Sequence, residues 1–305
     1  MTVDMIGPRR KTVHMADMGP TARARRLTGR LRELREQAAL SQEQAAALMH
    51  WHRLKLVRIE NAKVIPSAEE TAALCELYGA PDKELLTALS RDAGQRGWWN
   101  DYADVFHGSF VADEDLASEI RTWQAALIPG LLQTEDYARA VIAKANPTEG
   151  PAMHQRRVQA RMARRVVLTR TDPPAPHLRA IFDESVLHRP VGGPVMHAAQ
   201  LEHLLREGRR PNVEIRVIPF AAGETPGLEG RFTLLDFDPG LGLPMVVFME
   251  SPAGDLYVED APSIQRVSIA YEQVAEAALT PEDSAALIHA ACGRYRKEGH
   301  ANEHT

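Results

Sequence analysis

Between residues 53 and 63 the chain places Arg53, Lys55, Arg58 and Lys63 within eleven positions. A guanidinium can donate two parallel hydrogen bonds to guanine O6 and N7, whereas an ammonium acts as a point charge on a backbone phosphate. That mixture suits a nucleic-acid surface better than a reaction centre.

Other chemistry-bearing residues do not assemble. No His-Glu-x-x-His occurs, and His197 and His203 stand six apart on one expected helix, on different faces, as surface or core histidines. His50 and His52 flank Trp51 at a turn without further metal-ligand types beside them. Gly192-Gly193 lacks the Gly-rich loop and Lys of a nucleotide site and reads as a turn. Asp183-Glu184-Ser185 reads as a helix cap, since no nucleophile elbow accompanies it. Cys75 and Cys292 fall in helical patterns as small buried hydrophobes of a reducing compartment. Arg156, Arg157, Arg161, Arg164 and Arg165 crowd a helix over 154–169, where pairing with carboxylates of the same half or of a partner outweighs a second nucleic-acid patch. No enzyme and no cofactor are expected.

The elements that position the first cluster are short helices. Leu31 and Leu34 give an apolar stripe, and Ser41 then stops that helix and caps the next, with Gln44 completing a capping box. The second helix covers Gln42 to Met49; after a break at His50-Trp51-His52, a third covers Arg53 to Asn61 with Leu56 and Ile59 inward. Two short helices with a tight turn form a helix-turn-helix, whose second helix fits the major groove of B-DNA. Ser67 and Glu70 box a fourth helix closed by Gly79; Pro81-Asp82 opens a fifth to about Arg96, with Leu85, Leu86 and Leu89 inward.

LSQEQAA followed by RIEN resembles the xenobiotic-response-element type of helix-turn-helix, the lambda and Cro repressor kind, over about 27–90. The resemblance implies that Gln42 touches a phosphate, Arg53 and Leu54 face base edges, and Arg58 meets base or backbone. It places Lys55, Asn61 and Lys63 near phosphates. Five departures bear on DNA reading: His50 and Ala62 stand where the family usually has Gly, while His52, Leu54 and Val57 replace small polar residues. Ala62 costs stability if a left-handed turn is retained.

The second half resembles the WhiJ-like, antitoxin-like domain of filamentous-actinobacterial regulators over about 100–295. The carriers are PGLLQTEDYA at 129–138, FDES at 182–185, RPVGG at 189–193, PNVEIRVIPF at 211–220 and ALTPEDS at 278–284. It implies control by a small BldB-like partner protein and a role in development or antibiotic production, often by repression.

The 305 residues exceed one small module and imply two domains. Through residue 63 there are 13 basic and 6 acidic residues, a net +7, while the remainder carries −12. Such polarity suits a protein offering one end to phosphate. No apolar run of about 18 residues exists, so no membrane span is expected. The expected organisation is a disordered basic tail at 1–22, an α-helical five-helix domain at 23–96, an aromatic linker at 97–115 and an α+β domain with a mostly antiparallel sheet at 116–298. Arg9, Arg10, Lys11, Arg23, Arg25 and Arg26 make a basic arm the lesser reading of the tail, and Met15 or Met18 alternative starts. Trp98-Trp99-Asn100-Asp101-Tyr102 is expected to plug the domain interface.

In the second half a helix is expected from Leu116 through Trp123 and a Thr134-capped helix bearing Tyr137 inward. Strands are expected at 178–182, 213–218, 232–237, 245–250 and 256–258, and helices at 195–207, 264–278 and 281–297. The expectation is a cytoplasmic, nucleoid-associated, homodimeric transcriptional regulator, a repressor on double-stranded DNA. Affinity should fall steeply with salt, with about 5 phosphates neutralised per protomer. Its alternatives are an antitoxin-like protein-binding module with weakened DNA reading, motivated by Leu54, Val57 and Ala62, and a small-ligand sensor with its site between the sheet and helices of residues 178–260.

Overall fold

The computed structural model describes residues 21–93, 97–106, 108–251 and 254–302. The basic residues at 9–11 and the expected end of the fifth helix lie outside them. Five helices open the fold: α1 (Ala22–Gln37), α2 (Gln42–Leu48), α3 (Arg53–Glu60), α4 (Ala68–Tyr78) and α5 (Lys83–Ala93). Both capping boxes form, Ser41 with Gln44 and Ser67 with Glu70, and Gly79 closes α4 at φ 70°. Leu27, Leu31, Leu56, Ile59, Leu74 and Leu86 make one buried core. The inward stripe of α5 runs through Leu86, Leu89 and Ser90, so Leu85, expected inward, is 38% exposed.

A short 3-10 turn (Trp98–Tyr102) leads into α6 (Phe110–Leu116) and β1 (Glu119–Gln124). The helix expected through Trp123 is therefore a strand. Ile120 and Thr122 alternate with Trp123 onto opposite faces, and β-branched residues at period two suit a pleated surface. After α7 (Glu135–Ala145) and α8 (Pro151–Arg164) come β2 (His177–Asp183), α9 (Ser185–His188), α10 (Pro194–Glu207) and β3 (Val213–Ile218). The chain ends with β4 (Phe232–Asp236), β5 (Val246–Ser251), β6 (Gly254–Val258), α11 (Ala261–Ala277) and α12 (Pro281–Asn302). The basic helix expected over 154–169 starts earlier, at Pro151, and tightens into a 3-10 turn from Arg165.

The sheet order is β3-β2-β1-β4-β5-β6. β1, β2 and β3 are parallel, and the other three pairings are antiparallel. The fold class is as expected, helical then α+β with a mostly antiparallel sheet. The parallel pairing of β1 with β2 was not legible because β1 was expected as helix, although β2 and β3 were expected as strands. One sheet face buries Ile120, Leu178 and Phe182 under α10 and α12. The opposite face buries Trp123, Ile181 and Leu234 against Tyr271 and Val274 of α11.

The halves meet through α1 and α6. Asp113 Oδ1 accepts from the Ala22 backbone N–H at 2.5 Å, and its Oδ2 accepts from Arg25 Nη2 at 3.1 Å and Ser109 Oγ at 2.8 Å. Arg25 Nε also reaches Glu259 Oε1 at 2.5 Å. Arg25 is thus an interface residue rather than part of a free basic arm, and Arg23 lies 3.9 Å from Asp92.

Candidate nucleic-acid interface

α3 follows a break whose geometry needs unusual backbone. His50 and Ala62, on either side of α3, adopt φ +53°, and Ala39 before α2 adopts φ +54°. Both turns that the resemblance assigns to glycine therefore keep the left-handed form with a side chain in place. That conformation crowds Cβ against the next carbonyl, at a cost of roughly 1–2 kcal/mol each. His52 caps α3, its Nδ1 accepting from Leu54 N–H at 3.3 Å. Sequence reasoning missed this role; a short polar ring one residue before the apolar period was the available signal.

Leu56 and Ile59 seat α3 in the core, while Arg53, Leu54 and Arg58 are exposed, Leu54 at 60%. Among the described residues neither Arg53 nor Arg58 has a carboxylate within ion-pair range. The remaining expected contacts are committed inside the domain. Gln42 Nε2 donates to Glu60 Oε2 at 2.7 Å. The Lys55 ammonium pairs with Glu70 and lies 4.0 Å over the Trp51 ring. Burial pushes Glu70 up, but Lys55 and the Ser67 backbone N–H outweigh it and hold the carboxyl below its ordinary value. Asn61 Nδ2 bonds Val57 O at 2.8 Å, closing the last turn of α3, and Lys63 is exposed just beyond. Arg53, Leu54, Arg58 and Lys63 thus present outward, whereas Gln42 and Lys55 also orient the helix.

Glu60 explains that orientation. Arg35 Nε meets Glu60 Oε1 at 2.5 Å and Arg35 Nη2 meets Oε2 at 3.1 Å, both side chains buried, with Arg35 Nη1 donating to Leu40 O at 2.7 Å. A bidentate pair has little angular freedom, so the end of α3 is fixed to α1.

The aromatic cluster lies elsewhere. Trp98 contacts Trp99, Tyr102 and Phe106 edge-on at 6.0–6.2 Å and donates from Nε1 to Asp115 Oδ1 at 3.0 Å. The Arg156 guanidinium of α8 covers Tyr102 at 4.5 Å. The cluster is therefore bound to α6 and α8. Arg156, Arg157 and Arg164 pair with Asp104, Glu149 and Glu114, as expected of that helix. Arg161 and Arg165 instead meet the neutral or titratable partners Gln133 and His203.

A family model described as a helix-turn-helix domain matches residues 26–89, and one described as a domain of unknown function (DUF5753) matches residues 108–290. No curated protein and no solved structure matches the chain. The helix-turn-helix match supports a DNA-binding regulator. Among the described residues no helix is long and apolar enough to cross a membrane.

Proposed function

The chain belongs to the DUF5753 family, and we propose that it is a sequence-specific transcriptional repressor whose helix-turn-helix reads double-stranded DNA as a homodimer. Arg53 and Leu54 face base edges, Arg58 meets base or backbone, and Gln42, Lys55, Asn61 and Lys63 approach phosphates. The observation that carries the reading is the outward presentation of Arg53 and Arg58, without a carboxylate partner among the described residues, on a helix whose opposite side is locked by Leu56, Ile59 and Glu60. A phosphate arriving there meets cations that need not first leave an internal partner.

The second half is the control domain, answering to a small BldB-like partner protein in a cytoplasmic regulator of development. The resemblance in its motifs supports that assignment, and the Asp113 contacts with α1 give a mechanical route from it to the DNA-binding helices. A second reading, an antitoxin-like protein-binding module with weakened DNA reading, draws support from the exposed Leu54 and from Lys55 being held by Glu70.

A gel shift of the full chain against genomic fragments from around its own gene separates the two. Retardation of one fragment at low salt, lost as salt rises, supports the repressor. Absence of any shift at low salt leaves the protein-binding module.

A further inference from the structure

In the second half, a cavity of about 240 Å³ lies between one face of the sheet and a roof made by α7, α8 and the Pro129–Leu131 loop. A neighbouring cavity of about 220 Å³ shares Phe110, Arg161, Arg164, Phe248 and Glu250 with it. Ile120, Leu178, Val141 and Phe248 give the first cavity apolar walls. The hydroxyls of Thr122 and Thr233, bonded at 2.9 Å, make a small polar patch on its floor.

The charges in this cavity do not balance. Three arginines, 161, 164 and 231, face two glutamates, 114 and 250. Glu114 holds Arg164 through two bonds of 2.8 Å, and Arg231 Nε lies 3.7 Å from Glu250 Oε2. Arg161 has the neutral Gln133 Oε1 at 3.0 Å, and among the described residues it has no carboxylate within ion-pair range. Arg161 and Arg164 also converge on Gly130, where a Cβ would lie 4.0 Å from Nη1 of the one and 3.8 Å from Nη1 of the other. Burial, then Arg164, push Arg161 down to about 10, against the opposing pull of Glu250 and Glu114. Arg161 is half-buried, and a partly desolvated cation beside a like charge is unfavourable unless an anion joins it.

We propose that this cavity is a binding site for a small apolar monocarboxylate, its carboxylate on Arg161 and its hydrocarbon body against Ile120, Leu178 and Phe248. A single surplus positive charge matches a monoanion, and a guanidinium offers a carboxylate two parallel donors. A phosphate dianion would over-neutralise the site, and the apolar walls would leave its other oxygens unsatisfied. The site has an outlet to the DNA-binding helices. Glu114, which shares the pocket, is adjacent on α6 to Asp113, which holds Arg25 and the start of α1.

Calorimetric titration of the full chain with 3-phenylpropanoate and with octanoate tests the site without reference to DNA, so its outcome stands apart from the regulatory reading. Expected is one saturable site per chain for at least one of the two, no heat with 3-phenylpropanamide, and none with inorganic phosphate. Arg161→Gln should weaken the carboxylate at least tenfold without lowering the melting temperature, because it sheds a half-buried charge that among the described residues has no carboxylate partner, and Arg161→Lys should recover part of the affinity. Should Arg161→Gln fail to fold, Val141→Phe, which fills the cavity, should abolish binding. Failure of both carboxylates to bind, equal binding of the amide, binding of phosphate alone, or unchanged carboxylate affinity in Arg161→Gln or in a folded Val141→Phe overturns the proposal.

Discussion

Arg35 on α1 and Glu60 at the end of α3 form a bidentate ion pair inside the helical domain, at 2.5 and 3.1 Å. Gln42 Nε2 takes a further site on the same carboxylate, so one acidic residue joins three helices. Removing one partner strands a buried charge. Arg35→Ala or Glu60→Ala should destabilise the domain by about 3–5 kcal/mol, read by urea unfolding. The double change to Arg35→Met with Glu60→Leu should recover most of that loss. Equal costs for single and double variants would show that the pair is not coupled.

The left-handed turns at His50 and Ala62 are paid for elsewhere in the fold. Replacing each by glycine keeps the φ of +53° and removes the Cβ clash. Ala62→Gly and His50→Gly should each stabilise by about 1 kcal/mol, the relief being partly offset by glycine's greater unfolded-state entropy. A lowered melting temperature in both variants would mean that the side chains contribute more than the strain costs.

Much of the helical domain was legible because caps and apolar period agree: Ser41 with Gln44, Ser67 with Glu70, and Leu56 with Ile59 each report the same boundaries. Arg53, Leu54 and Arg58 were likewise legible as an outward set, being out of phase with that stripe. The Arg35–Glu60 pair and the Arg25–Asp113 contact were not, since a charged residue at a buried helical phase does not name its partner. β1 was misread because Glu119 to Gln124 is short and its neighbour Phe110–Leu116 is helical. Only pairing with β2 and β4 distinguishes it. The small-ligand alternative put its site among residues 178–260, whereas α7 and α8 roof the Arg161 cavity, whose members come from elements far apart in sequence.

The interface between the halves depends on Asp113, which accepts from Ala22, Arg25 and Ser109. Asp113→Ala leaves the Arg25 guanidinium and an α1 backbone N–H without that acceptor. Differential scanning calorimetry should then resolve the helical domain as a separate, earlier transition, with a loss of roughly 3 kcal/mol in the coupling. A single unshifted transition would show that the halves are joined by other contacts.

His203 gives the protein an acid-sensitive step. Burial first, and then Arg165 with Arg206 and Arg210, lower its pKa from 6.5 to about 4, while Glu207 acts the other way. Above pH 6.5 folded and unfolded forms both carry a neutral ring, so this stability is fully present. As pH falls from about 6.5 to about 4 the unfolded chain gains a proton that the fold refuses, and stability declines by roughly 2–3 kcal/mol. His203→Asn should flatten that part of the stability–pH curve; an unchanged slope would assign the acid sensitivity to other groups.

Fluorescence anisotropy on the fragment retained in the gel shift, with a scrambled duplex of equal length as competitor, tests the central claim most directly. Arg53→Ala should erase the preference between the two duplexes, a change of about 1–3 kcal/mol, while Lys63→Ala weakens both equally and reduces the salt slope by about one. If Arg53→Ala binds with the same preference as the parent protein, α3 is not the reading helix and the assignment is contradicted.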